Sequence, residues 1–140
     1  MISGRQCVFC RIVAGEEPCF LLCEDQDTLA FMDKHPANDG HCLVIPKRHY
    51  ATIFDMPAER FAAIGHTVVR VAQAVRSALE PDGLNLVQAN SAAAGQSVGH
   101  VHVHILPRQA GDDLAINWPR TNPAASSRLA ELAALIRREL

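Results

Sequence analysis

Apolar and polar positions change period several times along this chain, and each change marks an element. Residues 57–79 carry the clearest signal. Phe61, Ile64, Val68, Ala72, Val75 and Leu79 recur at steps of three or four, the stripe of an amphipathic helix. Pro57 suits a first helical position, and Asp55 puts negative charge near the positive end. Glu80-Pro81-Asp82-Gly83 stops the helix. Before it, Cys19–Glu24 and Thr28–Asp33 read as strands joined at Asp25-Gln26-Asp27, a hairpin. His41–Ile45 is a short apolar strand closed by Pro46. After it, Leu84–Ala89 and His100–Leu106 read as strands, the second by strict alternation. Ser91–Gly99 is a loop of small residues. Leu129, Leu132, Leu135 and Ile136 give a terminal helix over about 126–139. Residues 5–13 mix apolar and polar positions around two cysteines and predict no element.

One helix between strands is too few for a doubly wound sheet. The order predicts an α+β fold: a mainly antiparallel sheet with one long helix packed on it and a C-terminal helix. Length fits one domain over 1–140, with a core at about 5–108 and an extension at about 109–140. Net charge is −2, which argues against nucleic acid or an anionic membrane as the main partner. No apolar run is long enough to span a membrane. The stretch Met1–Arg11 lacks the basic and apolar regions of a signal peptide, so a cytoplasmic location is expected. Five cysteines make an odd number, and free or metal-bound thiols fit that better than a disulfide framework. Cys7 and Cys10 alone have ligand-like spacing, half of a tetrahedral zinc site. Cys19, Cys23 and Cys42 read as small buried hydrophobes.

The chemistry is concentrated in Gly95-Gln96-Ser97-Val98-Gly99-His100-Val101-His102-Val103-His104-Ile105-Leu106-Pro107-Arg108. Residues i, i+2 and i+4 of a strand share a face, so three imidazoles line one side and Val101, Val103 and Ile105 face the core. Three readings stand: a solvated polar face, a three-His metal site, and a phosphate-transfer site. The metal reading suffers because three such residues span about 13 Å of strand. For phosphate transfer, a glycine-bearing loop offers backbone N–H groups to an anion, and Ser97 adds a hydroxyl. A neutral histidine attacks phosphorus through one ring nitrogen when the other is held as N–H by a carbonyl.

The string His-Val-His-Val-His-Ile-Leu-Pro resembles the signature of the histidine triad (HIT) family of nucleotide hydrolases and transferases. Gly-Gln-Ser-Val-Gly resembles its phosphate loop. Cys7–Val13, Leu29–Asp33 and Gly40–His49 fit in the same order, and the likeness is strongest to the Hint branch and its bacterial relatives. The resemblance implies a HIT-like fold with His102 as nucleophile, His104 on the α-phosphate, and His41 orienting the nucleophile. It implies phosphate binding by Gly95, Gln96 and Ser97, ribose binding by Asp33, nucleotide contact by Asn90, and a base slot lined by Phe9, Ile12 and Phe31. Bacterial members that carry zinc imply a structural Zn²⁺ on Cys7, Cys10, His49 and His100. His66 reads as surface and His35 as loop.

The function so implied is hydrolysis at the α-phosphate of a purine nucleoside phosphoramidate through a nucleotidyl-histidine, in a homodimer paired through the long helix and adjacent strand. Two alternatives stand beside it. One is a dinucleoside polyphosphate hydrolase, for which Arg108 is the close cation. The other is a nucleotide-binding scaffold with incidental catalysis. Asp112-Asp113-Leu114 and Trp118-Pro119 resemble family tails that reach the active site, with no substrate role assigned to Trp118. Ser91–Ala94 and Glu17 depart from the Hint pattern, which leaves the leaving group and the base slot open.

Overall fold

The computed structural model describes residues 6–115, 118 and 121–140. Arg5, the first residue of the expected core, and Pro119 of the tail lie outside them. In chain order the elements are α1 (Val8–Val13), β1 (Leu21–Glu24), β2 (Thr28–Met32), β3 (Cys42–Pro46), α2 (Ala58–Leu79), β4 (Gly83–Val87), β5 (Val103–Arg108) and α3 (Ser126–Arg137). The strands form one sheet in the order β1-β2-β3-β5-β4, every pair antiparallel.

Alternation along the strands gives the sheet two faces. Ala30, Met32, Cys42, Val44, Val103 and Ile105 join Ile64, Val68, Val71 and Val75 of α2 and Leu129, Leu132 and Ile136 of α3 in one core. Leu29, Phe31, Leu43 and Ile45 face the other way and pack with Phe9 of α1 and Cys7. Both faces of β2 and β3 are covered, which is why these strands read as unbroken apolar runs. Burying a side chain such as Ile45 stabilises the fold by about 1.5–3 kcal/mol. At β1 the register slips between Leu21 and Cys23. That bulge turns both Leu22 and Cys23 to the α2 face.

The α2 stripe is rotated slightly from the expected one. Val71, Ala74 and Thr67 are buried, whereas Ala72 is only half-buried. Thr67 enters an apolar face because its hydroxyl meets that of Thr28 at 2.6 Å. Pro57 stands just outside the helix, at its N-cap. The strand expected over His100–Leu106 starts only at Val103. Val101 still points into the core, but its N–H bonds the carbonyl of Tyr50, at 2.8 Å, in place of a ladder partner. His100 and His102 therefore lie on an irregular segment, and alternation gave their side correctly for a reason that is not a strand. Cys42 is buried, but Cys19 and Cys23 are half-exposed. No described helix is long and apolar enough to cross a membrane.

Gly40 fixes the turn before β3. Its φ of +89° is open to glycine, and an added Cβ would sit 2.5 Å from Cδ1 of Leu79 and 3.2 Å from Cγ of Pro107. The close approach of α2 and β5 at this point sets where His41 emerges.

Candidate active site and metal centre

Cys7 begins α1 as its N-cap, accepting a bond from the N–H of Cys10 at 3.5 Å through sulfur. One helical turn thus presents both thiols on one side. His49 follows β3 in a loop tied down elsewhere: Gln96 donates to the carbonyl of Ala51 at 2.7 Å, and Asn90 accepts from the N–H of Ile53 at 2.7 Å. His100 is fully buried and donates from Nε2 to the carbonyl of Pro46 at 2.8 Å. Its Nδ1 therefore carries a lone pair. That nitrogen lies 3.4 Å from Sγ of Cys7, 3.6 Å from Sγ of Cys10 and 3.2 Å from Nδ1 of His49.

The four donor atoms lie within 4.8 Å of one another. A tetrahedral ion with zinc-like bonds would set N···N near about 3.3 Å and N···S near about 3.5 Å, so the spacing fits. Burial, then the neighbouring Cys7, push the Cys10 thiol up to about 11. Burial pulls His100 down to about 4. Neutral imidazole is the ligating form, and a cation is what would draw the thiol to thiolate.

A second cluster lies beside the first on the same face of the sheet. His102 is buried, and its Nδ1–H donates to the carbonyl of His100 at 2.7 Å, leaving the lone pair on Nε2. His41 is fully buried and accepts at Nδ1 from the N–H of Ala37, at 3.0 Å. Its proton is thus on Nε2, which donates to Nδ1 of His104 at 2.9 Å. His104 in turn must carry its proton on Nε2. Asp33 stands 3.4 Å from Nε2 of His41, while its other oxygen accepts the N–H of His35 at 2.8 Å. Burial, with His102 and His41 adding to it, pulls His104 down to about 3. His41 and His102 are also lowered, first by burial.

Among the other expected site residues, Phe9 and Phe31 are buried edge to face at 5.5 Å, and Ile12 is half-buried beside them. Phe9 also stands 5.3 Å from the ring of His102. In the loop, the N–H groups of Gly95 and Gln96 bond the carbonyls of Ala92 and Ser91. Gln96 uses its amide on Ser91, Ala51 and Val98. Asn90 uses its own on Ile53 and Gln88. These side chains brace the loop, in which Ser97 is exposed together with residues 91–95 and Gly99. His66 is exposed on α2, and His35 bonds the carbonyl of Thr121 at 3.0 Å.

The tail meets the site as the resemblance implies, through two sets of contacts that the sequence left unassigned. The indole of Trp118 stands edge to face on His41 at 5.4 Å and on His104 at 5.0 Å. Asp112 gathers Arg108 in two bonds of 2.8 and 2.7 Å, the amide of Asn38 and the N–H groups of Gln109 and Leu114. Arg108 also bonds Asn85 and the carbonyl of Leu114. The pair in Pro-Arg-x-x-x-Asp was the available signal, at the i,i+4 spacing of an ion pair.

A family model for the HIT domain matches residues 14–111. The chain belongs to the HIT family. The match starts after Cys7 and Cys10, so the sulfur half of the metal cluster rests on the geometry above. Among relatives, the protein hit of Bacillus subtilis is 40% identical over 119 residues, 84% of this chain and 82% of that one. An adenosine 5'-monophosphoramidase, hnt1 of Schizosaccharomyces pombe, is 40% identical over 114 residues, 81% of this chain and 83% of that one. A solved structure, the Zn-bound histidine triad family protein of Mycobacterium smegmatis, has a TM-score of 0.85 at 36% identity and covers 98% of this HIT chain and 94% of its own.

Proposed function

We propose that this HIT protein hydrolyses a purine nucleoside 5'-phosphoramidate at the α-phosphate, with His102 as nucleophile. Its enzyme class, hydrolase, is the one three of its relatives are named for. The observation that carries the reading is the tautomer of His102. The bond from Nδ1–H to the carbonyl of His100 leaves Nε2 with a lone pair, and burial keeps it neutral.

In the first step Nε2 of His102 bonds the α-phosphorus. The bond from phosphorus to the leaving nitrogen breaks, and the departing amine takes up a proton from solvent, which the attacking water returns in the second step. Nε2–H of His104 donates to a phosphate oxygen, and His41 holds His104 in that tautomer. Water then cleaves the His102–phosphorus bond, releasing the nucleoside monophosphate and restoring the neutral imidazole. Ser97 would add a hydroxyl to the phosphate, with Gly95 and Gln96 shaping its loop. Asp33 would take the ribose hydroxyls, and Asn90 would stand at the nucleotide's edge. Phe9, Ile12 and Phe31 would back the base.

Arg108 counts against a dinucleoside polyphosphate. Its guanidinium is spent on Asp112, Asn85 and Leu114, so it offers little to further phosphates. Cys7, Cys10, His49 and His100 would hold a structural zinc ion, which supplies cross-linking between α1, the loop after β3 and the segment before β5, with no open position for substrate. A cytoplasmic homodimer belongs to the same reading. β4 is an edge strand with Leu86 55% exposed, and Val69 on α2 is 57% exposed.

The test is ³¹P NMR of adenosine 5'-phosphoramidate with wild type and His102→Ala. Conversion to AMP by the wild type alone supports the reading. Equal conversion by both sinks the nucleophile, and none by either, with AMP still bound, favours the scaffold alternative.

A further inference from the structure

His100 belongs to both clusters at once. Its Nδ1 faces Cys7, Cys10 and His49, while its main-chain carbonyl accepts the Nδ1–H of His102 at 2.7 Å. The residue between them, Val101, is fully buried and tied by its N–H to Tyr50, the neighbour of His49. A second link runs through α1. Phe9 lies between the two cysteines, is 6% exposed, and stands edge-on to His100 at 5.8 Å and to His102 at 5.3 Å. A helix of six residues is far too short to hold itself together. Its seat depends on what Cys7 and Cys10 are fastened to and on its apolar contacts.

We propose that the Cys7–Cys10–His49–His100 centre positions the nucleophile. It fixes the His100 carbonyl that keeps the proton of His102 on Nδ1, and it seats Phe9 against the ring of His102. The proposal rests on His102 being the nucleophile, as argued above. A neutral imidazole free of such a carbonyl exchanges between two tautomers, and the Nε2–H form has no lone pair aimed at phosphorus. Phe9 acts through His102 and is a positioning residue.

The experiment uses the full chain with ¹⁵N-labelled histidine, loaded with zinc and then stripped by a chelator, with His102→Ala assigning the His102 signals. Loaded protein should show the Nδ1–H form alone. Stripped but folded protein should show averaged tautomers, with kcat on adenosine 5'-phosphoramidate reduced about 10- to 100-fold, the range seen when groups supporting a metal-bound histidine are lost. Identical ¹⁵N shifts and identical kcat in both forms would overturn the proposal.

Stripping can unseat more than α1, so Phe9→Leu is the second arm, with all four ligands kept. Full zinc content, displaced His102 shifts and kcat lower by about 10-fold are expected, whatever KM change follows from its place behind the base. Unchanged shifts and kcat overturn the role of Phe9. A raised KM with kcat intact also overturns it, and assigns Phe9 to base contact instead. Absence of turnover in every sample would remove the nucleophile reading, and the tautomer shifts would still decide the coupling.

Discussion

Two histidine clusters lie side by side on one face of this sheet, built from the same side chain and wired in opposite senses. In the first, a carbonyl takes the proton of His100 at Nε2, so a lone pair faces two thiols and a second imidazole. In the second, a backbone N–H reaches His41 at Nδ1, so a proton faces His104 and Asp33. Asp33, His41 and His104 also lie close enough to ligate an ion. The N–H of Ala37 opposes that, because a metal on Nε2 would move the ring's proton to Nδ1, against another donor. One backbone atom at each ring thus separates a metal site from a proton relay.

The contrast is broken most sharply by metal content. Purified wild type should hold one equivalent of zinc, and His41→Asn should keep it. Cys7→Ser with Cys10→Ser should lose it. At free zinc 1,000-fold above Kd, the ion contributes about 4 kcal/mol to folding. Its loss should lower Tm by about 10 °C in a chain of this size. Atomic emission and thermal melts check both. Two equivalents in wild type, or zinc lost from His41→Asn, would place metal on the second cluster and erase the distinction.

The sequence carried the first cluster better than the second. Cys7, Cys10, His49 and His100 come together as the family resemblance implies, because a helical turn and two anchored segments, after β3 and before β5, leave few other arrangements. The strands and the two longer helices were legible from periodicity, since β2, β3 and α2 each bury a consistent face. α1 was not, because six residues give too short a stripe. The start of β5 was misplaced by three residues: the rings of His100 and His102 bond carbonyls outside any ladder, and alternating residue types do not reveal that. The tautomers were equally hidden. They depend on Ala37, whose side chain says nothing of its N–H, and on the carbonyl of Pro46.

Trp118 sharpens the second cluster further. It is the chain's one tryptophan and it contacts His41 and His104 only through ring faces and edges. The tail is anchored on both sides of it, by Leu114 at the Arg108–Asp112 pair and by Thr121 at Pro36 and His35. Trp118 lies four residues from Leu114 and three from Thr121, within about 14 Å of one anchor and about 11 Å of the other. AMP bound at His104 should change tryptophan emission, because the indole stands edge to face on that ring. Asp112→Asn weakens the anchor, and its emission should shift toward that of solvated indole before any ligand is added. Emission indifferent to AMP would remove Trp118 from the site.

The last effect expected is on stability against pH, and it concerns the second cluster through His104. His104 stays neutral in the fold until about pH 3, whereas an unfolded histidine takes a proton near its ordinary value of about 6.5. Between those limits the unfolded chain binds more protons than the native one. The native state therefore loses stability as pH falls from about 6.5 toward about 3, by up to about 1.4 kcal/mol per pH unit for this one group. Above about 6.5 both states are neutral at this residue and the dependence vanishes. His104→Asn removes the titrating ring and keeps an acceptor for His41. Its urea-unfolding free energy should fall less steeply with acid than that of wild type, with the two curves parallel above neutrality. Metal loss in acid affects both proteins alike and cancels in the difference. If the two curves stay parallel down to pH 4, His104 accepts a proton in the folded state. The dry, neutral relay ascribed to His41 and His104 would then have to be replaced by a cationic one.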